Sequence, residues 1–124
     1  MAVSEGFVEL LRDLLSGFAP ISVRRMFSGA GIFANGVMFA LVIDDVLFLK
    51  TDEQSRTAFE AQGLAPFSFI KQGRRIDTSY WRAPEQLLDD PDELIAWSRR
   101  ALEAAKRIAA RKPADKNPKR RKAS

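Results

Sequence analysis

Asn35-Gly36 falls between two short apolar runs, residues 31–34 and 37–40. A two-residue hairpin loop of type I′ needs positive φ at both central positions, which Asn followed by Gly tolerates best. The pair therefore fixes an antiparallel reversal, and its surroundings extend the pattern. Asp44-Asp45 returns residues 40–43 onto 46–50, and Ser28-Gly29 marks an earlier break. Residues 21–51 thus read as a four-stranded meander whose first strand covers about residues 23–27.

These strands are apolar on both sides. Val37, Phe39, Leu41 and Ile43 fill one face, while Met38, Ala40 and Val42 leave the other apolar too. A sheet with one wet side would alternate apolar with polar residues. Both faces are therefore expected to be covered. Helices take one; a second copy of the chain, another helix or the C-terminal segment takes the other. Met38, Ala40 and Val42 are the expected contact residues of a homodimer.

Helical patterns flank the meander. Phe7, Leu10, Leu11, Leu14, Leu15 and Phe18 recur at three- and four-residue steps behind a capping Ser4, with Gly17 and Pro20 closing the segment near residue 16. Asp52 caps a short helix over residues 53–62, ended by Gly63. Strands 66–71 and 75–81 follow, joined at Gln72-Gly73-Arg74, and Ala83-Pro84-Glu85 opens a short helical turn. Asp90-Pro91-Asp92-Glu93 combines a capping Asp, a first-position Pro and a Glu three residues after the cap, a strong helix start. The helix it begins carries Leu94, Ile95, Trp97, Ala101, Leu102, Ala105 and Ile108 on one side. The expected fold is α+β: two layers, an antiparallel sheet of five to six strands, helices on one face.

Charge divides the chain unevenly. Residues 111–124 hold seven cations (Arg111, Lys112, Lys116, Lys119, Arg120, Arg121, Lys122) against Asp115 alone. The preceding residues are slightly acidic, so the basic character belongs to an appendage. Pro113, Pro118 and the lack of large apolar residues predict a domain over 1–110 and a disordered basic tail over 111–124. That density of cations suits backbone contacts with DNA or RNA that carry no sequence information; a solubilising tail is the alternative reading.

The 124 residues include no His and no Cys. Imidazole and thiolate metal sites and His-assisted or Cys-based nucleophilic catalysis are thereby excluded. No metal or cofactor is expected. Asp89, Asp90, Asp92 and Glu93 lack the ligand spacing of a Ca²⁺ loop and read as helix initiation. Gly29-Ala30-Gly31 is followed by a strand, so it reads as a turn or bulge rather than a phosphate cradle. Lys71, Arg74, Arg75, Trp81 and Arg82 form the one candidate surface patch, able to stack on bases or clamp a peptide. No run of apolar residues is long enough to span a membrane. The N-terminus lacks the pattern of a secretory signal, so the cytoplasm is expected.

Three stretches taken together resemble one family: Arg25-Met26-Phe27-Ser28-Gly29-Ala30-Gly31-Ile32-Phe33, residues 36–51, and Ser79-Tyr80-Trp81-Arg82-Ala83-Pro84-Glu85 ahead of Asp89-Asp90-Pro91. The pattern is similar to the N-terminal domain of the TfoX/Sxy competence regulators. The resemblance implies a fold similar to that of secretion chaperones, no enzymatic activity and no catalytic residues. Family members with the full architecture regulate natural transformation, assist a cyclic-AMP receptor protein at competence promoters, and carry a second, helical domain. The function expected is that of a non-catalytic regulator or adaptor, homodimeric, with a transcription factor or other protein as partner and weak nonspecific nucleic-acid affinity in the tail. A chaperone-like protein-binding module without a nucleic-acid role is the alternative.

Overall fold

The computed structural model describes residues 4–26 and 29–115. The elements run α1 (Glu5–Leu14), β1 (Ile21–Met26), β2 (Gly29–Ala34), β3 (Val37–Ile43), β4 (Val46–Lys50), α2 (Arg56–Ala61), β5 (Pro66–Lys71), β6 (Arg74–Arg82), a 3₁₀ turn (Glu85–Asp89) and α3 (Pro91–Asp115). The six strands form one antiparallel sheet in the order β1-β2-β3-β4-β6-β5. The α+β class and the strand count follow the sequence pattern.

Local chemistry accounts for the element ends. The Ser4 hydroxyl accepts from the Phe7 amide at 3.1 Å, and Asp90 accepts from the Glu93 amide at 3.2 Å. Each bond satisfies a first-turn donor that has no partner within its helix. Asn35 and Gly36 both have positive φ, 55° and 76°, as the hairpin reading requires. Gln72 and Gly73 repeat that geometry at the β5–β6 turn, so Arg74 belongs to β6 rather than to the loop.

The helices pack on one face of the sheet. Val8, Leu11 and Leu15 from the first helical segment and Leu94, Trp97, Ala101 and Leu102 from α3 meet Ala30, Ile32, Ala34, Leu47 and Leu49 in one buried cluster. Phe59 of α2 is buried there, its ring 5.0 Å from Trp97 and 6.4 Å from Trp81. Full burial of one such large side chain contributes roughly 1.5–3 kcal/mol.

A bulge decides which residues face that cluster. Ile32 stands opposite Ala40 and Phe33 opposite Met38, leaving Phe39 as an extra residue in β3. Its ring turns to the helix side, 5.5 Å from Phe18, and is fully buried. The strict alternation expected along β3 therefore fails at Phe39. Ala40 and Val42, expected on the second face, lie in the helix-side cluster at 1% and 0% exposure. Of the three expected contact residues, only Met38 stands on the opposite face.

Two further expectations are corrected. Gly29-Ala30-Gly31 forms neither a turn nor a bulge; all three residues lie in β2. Bare backbone is needed there because Gly29 lies against the Val42 carbonyl and Ile43, and Gly31 lies beneath Met26 and Met38. α3 continues to Asp115, so the first five residues of the segment expected to be a disordered tail are helical.

Candidate functional site

The register assigns every strand residue to a side. Gly31 and Gly29 alternate with Ala30 and Ile32, so they mark the face away from the helices. An added Cβ on Gly31 would meet Met26 Cε and Met38 Sδ, each at 2.9 Å, which places both methionines on that face. Phe33 lies opposite Met38, Leu41 opposite Gly31, and Ile43 opposite Val46. Phe48 lies opposite Leu41, and its ring meets Phe67 at 5.5 Å. Among the described residues no helix covers this face. Most of its side chains are half-buried against each other, with Leu41 buried at the centre.

The face ends in a projecting hairpin. β6 pairs with β4 only through Tyr80, Trp81 and Arg82, while it pairs with β5 out to Lys71 and Arg74. Phe69, Ile70 and Ile76 are exposed on this arm, Ile70 to 70%. A contiguous apolar surface of this kind on a folded domain marks a contact site more often than chance.

The expected surface patch is divided between the two sides. Trp81 turns inward to Phe59 and belongs to the helix-side packing. Arg75 is held by Asp77, Nε to Oδ1 at 2.9 Å, and Ser68 donates to the same oxygen at 2.6 Å. Those partners keep the Asp77 carboxyl below the usual carboxylate range, the Ser68 hydroxyl first. Lys71, Arg74 and Arg82 are exposed and share the open face. Of the tail cations, Arg111 is exposed on α3. Lys116, Lys119, Arg120, Arg121 and Lys122 lie outside the described residues, as does the side chain of Lys112.

Lys50, Ser79 and Tyr80 form the tightest polar group near this face. Lys50 Nζ donates to Ser79 Oγ at 2.7 Å and sits 4.6 Å from the Tyr80 ring centre. Burial pushes the Tyr80 phenol up to about 12, so it stays protonated at neutral pH. This arrangement ties the end of β4 to β6.

Sequence reasoning missed Phe33, Leu41 and Phe48 as residues of the open face. The alternation in 46–50 gave one signal, because Leu47 and Leu49 turn inward and leave Phe48 outward. The bulge at Phe39 gave none.

A six-stranded antiparallel sheet carries helices on one side and leaves an apolar, cation-flanked surface on the other. The chain matches the model of the TfoX N-terminal domain over residues 13–105 and belongs to that family. It is similar to Protein Sxy of Escherichia coli strain K12, at 27% identity over 94 residues covering 76% of this chain and 45% of the relative. It is also similar to the DNA transformation protein TfoX1 of Aliivibrio fischeri, at 29% identity over 80 residues covering 64% of this chain and 38% of the relative. The chain spans less than half the length of either.

Proposed function

We propose that this chain is a non-catalytic regulatory or adaptor module, akin to regulators of DNA transformation, that works by binding another protein through the open face of its sheet. The observation that carries the reading is the uncovered apolar surface formed by Met26, Phe33, Met38, Leu41 and Phe48. Membership of the TfoX N-terminal domain family and the similarity to a DNA transformation protein support the regulatory part. The basic segment after residue 110 adds weak, sequence-independent affinity for DNA or RNA, which fades as salt rises.

Photo-crosslinking tests the reading. A crosslinkable residue at Met38 on the open face should capture a protein partner in cells. The same group at Glu103, on the exposed side of α3, should not. Equal capture at both positions, or capture only at Glu103, would move the contact site off the sheet.

A further inference from the structure

One cross-strand row runs Arg24, Gly31, Leu41, Phe48, Arg82, each residue directly opposite the next on the neighbouring strand. Four strand spacings of about 4.8 Å put the two arginines roughly 19 Å apart, with an apolar floor between them. Neither guanidinium has an ion-pair partner among the described residues; Arg24 lies 5.0 Å over the Phe33 ring. The register also places Lys50, Lys71 and Arg74 on this face. Asp77, the only carboxylate within the six strands, is on the other face with Arg75.

We infer that the open face takes an acidic amphipathic helix, its apolar stripe laid over Leu41 and Phe48 and its carboxylates meeting Arg24 at one end and Arg82 at the other. This rests on the reading of the face as protein-binding and adds the chemistry of the partner. Charge decides between occupants. A second copy presenting the same face would set cations against cations, and like charges brought together disfavour the wrong partner. The chain's own C-terminal segment is strongly cationic and meets the same repulsion. An acidic helix is attracted at both ends and has room to lie across the row, since about 13 residues at 1.5 Å each span the distance between the arginines. Met26 and Met38 suit such a floor, because unbranched thioethers re-pack around varied side chains.

The probe is a labelled synthetic helix of about 18 residues, with Leu at three- and four-residue steps and Glu in both terminal turns. Its twin carries Lys at every Glu position, and a single-stranded oligonucleotide serves as a third ligand. Full-length protein should bind the Glu helix and not the Lys helix. The double variant Arg24→Glu, Arg82→Glu should bind the Glu helix at least about tenfold more weakly and gain the Lys helix, with the difference shrinking as salt rises. The basic tail is present in both proteins, so the exchange reads the sheet alone. Circular dichroism of the variant shows that it is folded; both substitutions are on exposed positions.

Equal binding of the two helices, unaffected by the double variant, would overturn the acidic partner while leaving a protein-binding face. No binding of either helix, with oligonucleotide affinity that the variant abolishes, would overturn both and make the face a nucleic-acid platform. Self-association of the parent protein that the variant strengthens, with no helix bound, would overturn the inference in favour of a second copy.

Discussion

Asp52 and Arg107, far apart in sequence, are joined by two hydrogen bonds: Nε to Oδ2 at 2.6 Å and Nη2 to Oδ1 at 3.1 Å. The carboxylate is only 4% exposed, and it also accepts from the Ser55 amide at 3.0 Å. One side chain thus starts the turn that leads into α2 and ties it to α3. The Arg107 guanidinium, followed by the Ser55 bonds, outweighs burial and holds the Asp52 carboxyl far below the usual carboxylate range.

Asp52→Asn should destabilise the fold by about 2 kcal/mol, the scale of a hydrogen bond to a charged group. Because the folded-state pKa is lowered, this stability is present above the unfolded value of about 3.9 and is lost as pH falls below it. Urea denaturation from neutral to acidic pH should show a falling limb in the parent protein and a flatter one in the variant. Parallel limbs would mean the pair does not govern acid sensitivity.

Tyr80 is the only tyrosine, so absorbance near 295 nm reports one phenol. Its ionisation should centre at about 12 in the folded protein, and near the ordinary value of about 10 in denaturant. Since the folded value is raised, the stabilisation it reports is intact below the unfolded pKa and is lost as pH rises through the folded one. A native midpoint near the denatured value would show a solvated phenol.

Gly29 and Gly31 should respond differently to alanine. At Gly29 the new methyl group would run into the Val42 carbonyl, which is backbone and cannot move aside cheaply. At Gly31 it would meet only the mobile ends of Met26 and Met38. Gly29→Ala should cost roughly 2–3 kcal/mol and Gly31→Ala below about 1 kcal/mol. Thermal denaturation ranks the two, and the reverse order would contradict the assigned register.

The meander and the starts of α1 and α3 were legible because each rests on short-range chemistry, whereas α2 begins at Arg56 behind Ser55 rather than at residue 53 behind Asp52. Asn35-Gly36 dictates its own turn, Ser4 and Asp90 cap their helices, and Phe7 to Phe18 keep a helical period. The face assignment was not legible beyond Met38. One extra residue at Phe39 reverses the alternation, and its ring packs on Phe18, a residue distant in sequence. The Arg24–Arg82 row is hidden for the same reason, since it exists only once five strands are in register. The Asp52–Arg107 pair likewise depends on how α3 packs.

If the seven cations of residues 111–124 contact duplex phosphates, the log–log salt slope should be near −6, and changing Lys119, Arg120, Arg121 and Lys122 to Gln should reduce its magnitude by about 3 to 4. Fluorescence anisotropy across a salt series checks this, and an unchanged slope would place the contacts elsewhere.

The sheet is proposed to work through the side its helices leave bare. Oxidative footprinting of the full chain, with and without the Glu helix, tests it most directly through Met26 and Met38. Both methionines should be oxidised in the free protein and shielded in the complex, while the exposed side of α3 is unchanged. Shielding of α3 with Met26 and Met38 still reactive would contradict it.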